Sequence, residues 1–200
     1  MLRAERRRSS DSVRPRRMCP LADPPAAPID PSLAWPIVTE RVSPTDVAPV
    51  EIRDPQVLVL LDALTSELSG GGYTANQTFG YSAAKLECAG VHLVGARVAG
   101  QLVGIGGVEL QDDGIAELKR FFVMSEHRGA GVADALMAAL LGHATAHGMN
   151  LLRLETGDKQ RAAVAFYRRH GFAETQRFGP YIYSETSICM QRSLLSRDDR

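Results

Sequence analysis

Residues 121–133 read Phe121-Phe122-Val123-Met124-Ser125-Glu126-His127-Arg128-Gly129-Ala130-Gly131-Val132-Ala133. A β-rich apolar segment ends at Val123, a short polar loop follows, and a glycine-containing turn opens a long patterned segment. From about Gly129 to His147 the apolar residues Val132, Leu136, Leu140 and Ala144 recur every four positions, with Met137 and Leu141 widening the stripe. That spacing predicts an amphipathic helix, and Gly148 supplies its stop. Strand, glycine turn and helix in this order make an anion site. The first amides of a helix lack intrahelical acceptors and the helix dipole is positive there. Small residues let phosphate oxygens approach the backbone, and Arg128 adds a cation. Arg128, Gly129, Ala130, Gly131, Val132 and Ala133 are therefore the candidate residues for a phosphate or pyrophosphate. A P-loop is excluded because no Lys-Ser or Lys-Thr follows, and the Gly-x-Gly-x-x-Gly dinucleotide fingerprint is absent at this turn.

Upstream of this stretch, Val50 to Arg53 reads as a short first strand. Asp54-Pro55 makes a helix start, with the aspartate as N-cap and proline in the first turn. Val57, Leu60, Leu61, Leu64 and Leu68 then follow at helical spacing until Gly70-Gly71-Gly72. Thr74 to Lys85 carries a weaker helical pattern. Val91 to Leu110 reads as a hairpin turning at Ala99-Gly100, and Asp112-Asp113-Gly114 turns into a strand over Ile115 to Val123. Downstream, Leu151 to Glu155 is a buried-looking strand. Asp158 caps a helix running to His170, and Ala173 to Arg177 pairs with Ser187 to Leu194. The expected architecture is a single α/β domain with a mixed central sheet of about six to seven strands flanked by helices.

The 200 residues suit one domain. Lysine and arginine number 23, as do aspartate and glutamate, so net charge argues for neither nucleic acid nor an anionic membrane as partner. Residues 1–45 differ from the rest. Seven arginines between Arg3 and Arg17 give way to a Pro/Ala-rich stretch, a composition that buries too little apolar surface to offset its ordering entropy. The expected division is a disordered tail over 1–45 and one domain over 46–200. No apolar run approaches the roughly 18 residues of a membrane span. No apolar core follows the arginines as an export signal requires. With three scattered cysteines as well, the expected setting is a reducing cytoplasm.

Four segments together resemble one family. Arg128-x-x-Gly131-x-Ala133 is similar to the Gln/Arg-x-x-Gly-x-Gly/Ala motif of the GCN5-related N-acetyltransferases. Ala116 to Val123 resembles the family's central strand, and Leu152 to Gly157 the next one. Ala165-Phe166-Tyr167-Arg168-Arg169-His170-Gly171-Phe172 is similar to its Phe-Tyr-x-x-x-Gly-Phe signature. The resemblance runs from about Val50 to Leu194 in element order as well as in motif. Phe178-Gly179-Pro180-Tyr181 resembles a subset of small bacterial members.

The resemblance implies acetyl-CoA lying between two splayed central strands, with no metal. The backbone of Phe121, Phe122 and Val123 would bond the acetyl carbonyl and the pantetheine amides. Amides from Arg128 to Ala133 would hold the pyrophosphate. Gln160 stands where the family often has an asparagine on the pantetheine arm, a departure that keeps the amide, and Phe166 completes the cofactor set. The implied reaction is direct attack of a primary amine, expected to be that of a small molecule, on the thioester. Tyr167 matches the general acid, and its alternative is core packing. Glu117 matches a strand glutamate that serves some members as base, and its alternative is a carboxylate paired with Lys119 or Arg97. Glu155 is the competing base. Simple alternation puts Glu117, Lys119, Phe121 and Val123 on one face unless a bulge changes the register.

The five histidines are too dispersed to suggest a metal cluster, and Cys88 and Cys189 read as buried packing. The implied acceptor pocket comes from about Leu64 to Lys85 and Gly179 to Ser187, where Tyr73, Tyr81, Tyr181 and Tyr183 are candidate lining residues and the glycine run suggests a mobile wall. A homodimer is the expected assembly where relatives are a guide. The competing function is a catalytically silent CoA-binding sensor or regulatory module of the same fold.

Overall fold

The computed structural model describes residues 45–73 and 81–195. The expected tail lies outside the described residues, as does the Thr74–Gly80 part of the weak helical segment.

Eleven regular elements follow one another: β1 (Asp46–Pro49), α1 (Pro55–Gly70), α2 (Ala83–Cys88), β2 (His92–Val98), β3 (Gln101–Leu110), β4 (Ile115–Val123), α3 (Val132–Ala146), β5 (Leu151–Gly157), α4 (Arg161–Arg169), β6 (Ala173–Thr175) and β7 (Ser187–Ser193). The seven strands form one sheet in the order β1-β2-β3-β4-β5-β7-β6. All neighbours are antiparallel except β4 and β5, which run parallel on either side of the α3 crossover.

Local chemistry accounts for most boundaries. Asp54 accepts from the Gln56 amide at 2.8 Å and starts α1, a cap contributing about 1 kcal/mol. The β2–β3 hairpin turns through Ala99 and Gly100, both left-handed (φ 51° and 83°), as a two-residue loop matched to strand twist requires. The first strand falls four residues earlier than expected. Pro49 has no amide to extend the ladder, and the Val50 amide instead donates to the Leu93 carbonyl at 3.1 Å. The last helix begins at Arg161, not Asp158, because the Asp158 carboxylate is engaged by the Tyr73 hydroxyl at 3.1 Å.

Two apolar layers sandwich the sheet. One is built on α3 and α4 and includes Leu136, Met137, Leu140, Leu152, Leu154 and Met190. The other joins α1 and α2 to Leu93, Leu102, Ile105 and Phe122. Each fully buried leucine contributes roughly 2–3 kcal/mol. Cys189 is buried, but Cys88 is exposed at the end of α2, against expectation.

Two irregularities shape the middle of the sheet. First, Ile105 pairs with Phe122 while Gly107 pairs with Lys119, so β4 carries one extra residue and Arg120 sits at φ 52°. This bulge shifts the strand's phase. Ala116 and Leu118 face the α3 layer, and beyond the bulge so do Phe121 and Val123, whereas Phe122 joins the α1 layer. Glu117 and Lys119 therefore do not share a face with Phe121 and Val123, as simple alternation predicts. Gly106 makes room for the displaced ring: a Cβ there would lie 2.9 Å from both Phe121 and Leu140. Second, the β4–β5 ladder holds only three pairs, ending at Glu117–Arg153. Both strands continue beyond it, to Val123 and Gly157, without pairing to each other.

Candidate active site

The unpaired ends of β4 and β5 open into a cavity of about 620 Å³, walled also by the start of α3, by α4 and by the C-terminal half of α1. Phe121, Phe122, Val123, Arg128, Gly129, Gly131, Ala133, Gln160, Phe166 and Tyr167 all line it. Of the other candidates, Ala130 is exposed on the turn, Val132 packs its side chain into the core, and Glu117 lies behind the wall.

At one end of the cavity, Gly129 and Gly131 adopt left-handed conformations (φ 76° and 82°), and Gly131 is the N-cap of α3. An added Cβ at either position would meet nothing within 4 Å. The first turn of the helix thus points its free amides across an open approach. Arg128 is fastened beside it: Nε donates to the Val123 carbonyl at 2.8 Å and Nη2 to Glu67 on α1 at 2.6 Å. This ion pair is half exposed and contributes about 0–1 kcal/mol, so an incoming anion can compete for the guanidinium. Asp134, which would oppose an anion, bonds His170 at 2.9 Å.

Near the gap, the Tyr167 ring is buried on α4 against Phe121, Phe166 and Phe172. Burial, with a smaller push from Glu155, raises the pKa of its hydroxyl, which stays protonated at any working pH. Glu117 is fully committed. Its Oε1 accepts from Lys119 Nζ at 2.5 Å and from the Tyr181 hydroxyl at 3.0 Å, and its Oε2 accepts from Gln111 at 3.0 Å. Lys119 stacks over the Tyr81 ring at 4.3 Å, and Tyr81 donates to Glu109 at 3.2 Å. Arg153 stands 3.7 Å from Glu117 and lies over the Phe178 ring at 3.9 Å. Arg97, the other suggested partner of Glu117, bonds Gln56 instead.

Glu155 stands differently. Its Oε1 accepts from Ser187 Oγ at 2.6 Å, and Oε2 has no hydrogen-bond partner among the described residues. Burial raises its pKa above 4.5, against the lowering effect of the Ser187 bond, and the Glu117 charge adds to the rise.

Tyr73, Tyr81 and Tyr181 line the cavity, but Tyr183 projects into solvent at 95% exposure. The glycine run is tied down at its end. Lys159 Nζ donates to the Gly72 carbonyl at 2.8 Å, and the Tyr73 hydroxyl accepts from the Lys159 amide at 2.6 Å. The sequence marks Tyr181 only as a candidate lining residue of the acceptor pocket. Its bond to Glu117 spans 64 positions and had no local signal.

The acetyltransferase (GNAT) family profile matches residues 61–172, from α1 through the end of the α4 motif. The chain belongs to the GNAT acetyltransferase family. Its sequence is 37% identical over 100 residues to an IAA acetyltransferase of Azospirillum brasilense, covering 50% of this chain and 65% of that one. With human N-acetyltransferase 8 it shares 38% identity over 80 residues, covering 38% of this chain and 35% of the human protein. The matches thus span less than two thirds of these relatives. Among solved structures, one described as an acyl-CoA N-acyltransferase from Klebsiella pneumoniae is 29% identical with a TM-score of 0.67, covering 76% of this chain and 99% of that one. A PaiA N-acetyltransferase from Thermoplasma acidophilum in complex with coenzyme A has the same fold at 17% identity and a TM-score of 0.63, over 76% of this chain and 99% of that one. The seven-stranded sheet and its parting central strands are thus this chain's version of the GNAT fold.

Proposed function

We propose that the protein transfers an acetyl group from acetyl-CoA to a primary amine of a small molecule. The observation that carries this reading is one cavity joining an open, glycine-lined helix start to the gap between β4 and β5, with the Tyr167 side chain on its wall. The pyrophosphate would rest on amides from Arg128 to Ala133. The pantetheine arm would run along Phe121 to Val123, with Gln160 as an amide partner and Phe166 as apolar wall. When bound, acetyl-CoA supplies the reactive thioester.

The chain's own groups then handle two protons. One leaves the attacking amine and the other goes to the sulfur as the carbon–sulfur bond breaks. Tyr167 donates the second. For the first, Glu117 and Glu155 are the candidates, and the geometry favours Glu155. It lines the cavity, keeps one oxygen without a protein partner, and is less acidic than an ordinary carboxylate. Glu117 instead anchors Lys119 and Tyr181.

The sign of the Glu155 shift gives a test. Its folded pKa is raised, so stability is lost as pH climbs from 4.5 through the folded value, and the loss persists at neutral pH. Glu155→Gln is therefore expected to melt higher than wild type at pH 8 and equally at pH 4. Its turnover should fall by about 10²-fold or more. Unchanged turnover would return the base role to Glu117 or to water.

The cofactor assignment is tested by calorimetric titration with acetyl-CoA, using NADH and ATP as controls. Selective binding in the micromolar range is the expected result, and no binding by folded protein would leave only the fold in common with the family. Binding without turnover on any amine would favour the silent CoA-binding module. No helix among the described residues is long and apolar enough to cross a membrane. A cytoplasmic setting and a homodimer are part of the proposal.

A further inference from the structure

Most charges around the gap are paired. Lys119 meets Glu117, Arg128 meets Glu67, and Asp134 meets His170. Of the charged side chains that β4 and β5 place on the cavity wall, two make no ion pair among the described residues: Arg120 on β4 and Glu155 on β5. They flank the gap from opposite strands, one cationic and one anionic.

Arg120 is placed with some care. The bulge holds it at φ 52°, a left-handed conformation costly for a residue with a Cβ. Nε donates to the Tyr81 carbonyl at 2.8 Å, which fixes the guanidinium plane. Nη1 and Nη2 have no protein acceptor among the described residues. Burial lowers the pKa of the group from its ordinary value, opposed by the attraction of Asp62. A structural latch for Tyr81 would explain the Nε contact alone. It would leave unexplained a largely desolvated, forked pair of donors on the wall of the cavity. A coenzyme A phosphate is a poor occupant, because Arg120 bonds the α2 side of the sheet while the phosphate loop opens α3 on the other.

We propose that the acceptor is an amine that also carries a carboxylate, with Arg120 binding that carboxylate through Nη1 and Nη2 while Glu155 meets the amino group. Guanidinium and carboxylate match as a two-point fork. A zwitterionic acceptor would neutralise both unpaired charges without adding net charge to the cavity, which lowers the cost of desolvating them. The amino-group half of this assignment rests on the acetyl-transfer reading above, whereas the carboxylate half does not.

The test uses the full chain and matched amines: glycine with methylamine, phenylalanine with 2-phenylethylamine, lysine with cadaverine. CoA release gives turnover, and calorimetry on the CoA-loaded protein gives binding without turnover. The carboxylated member of at least one pair is expected to have a kcat/KM at least about tenfold higher. Arg120→Gln should erase that ratio by raising KM with little change in kcat, and Arg120→Lys should restore part of it. Acetyl-CoA affinity should stay within about twofold, as the guanidinium lies on the acceptor side. Equal or reversed preference, or a ratio that survives in R120Q, overturns the carboxylate site. So does loss of acetyl-CoA affinity in R120Q, and so does failure of every carboxylated amine to bind. Binding of the carboxylated amines without turnover would keep the site and sink the acetyl transfer.

Discussion

In the Gly131→Val protein, acetyl-CoA affinity falls by about 100-fold or more while the domain stays folded, because a side chain now occupies the approach to the helix amides. Two effects combine. Gly131 caps α3 at φ 82°, where a β-branched residue is strained by roughly 1–2 kcal/mol. An added side chain also projects into space that contains no protein atom within 4 Å, so it displaces only a ligand. Gly131→Ala separates the two, since it carries the strain with far less bulk and should lose less affinity. Calorimetric titration with acetyl-CoA, together with a melting curve, measures both. Affinity unchanged in the valine variant would show that no phosphate rests on this turn.

Tyr167→Phe is the second large effect, and it should appear in turnover rather than in binding. Removing a proton donor to the departing thiolate lowers kcat by about 10²- to 10³-fold. The ring itself stays packed against Phe121, Phe166 and Phe172, so stability and acetyl-CoA affinity change little. The hydroxyl has no hydrogen-bond partner among the described residues to lose, and deleting it relieves a buried polar group. Wild-type kcat in the phenylalanine variant would reduce Tyr167 to a core residue.

Much of the fold was legible because local signals agreed with one another. The Asp54-Pro55 start, the Ala99-Gly100 turn, the four-residue stripe of α3 and the Gly171 stop each name an element without reference to its neighbours. The glycine turn that opens α3 was legible for the same reason, since Arg128 to Ala133 is one continuous segment. What escaped depends on contacts distant in sequence. Asp158 is a good cap in isolation but is claimed by Tyr73, 85 positions away. Glu117 has Lys119 as a legible partner two positions away, but Gln111 and Tyr181 close around it only in the fold. Stacking of His92 on His143, with ring centroids 3.6 Å apart, depends on the packing of β2 against α3. The bulge was the hardest, because its left-handed residue is an arginine and not a glycine.

That bulge makes β4 two strands spliced end to end. Before the splice, even-numbered residues belong to the α3 layer, and after it odd-numbered ones do. The candidate cofactor segment at Phe121 to Val123 is therefore set out of step with the Glu117–Lys119 pair by one residue of chain. Straightening the bulge with that residue kept in regular pairing would exchange the inside and the outside of half a strand without changing a single side chain.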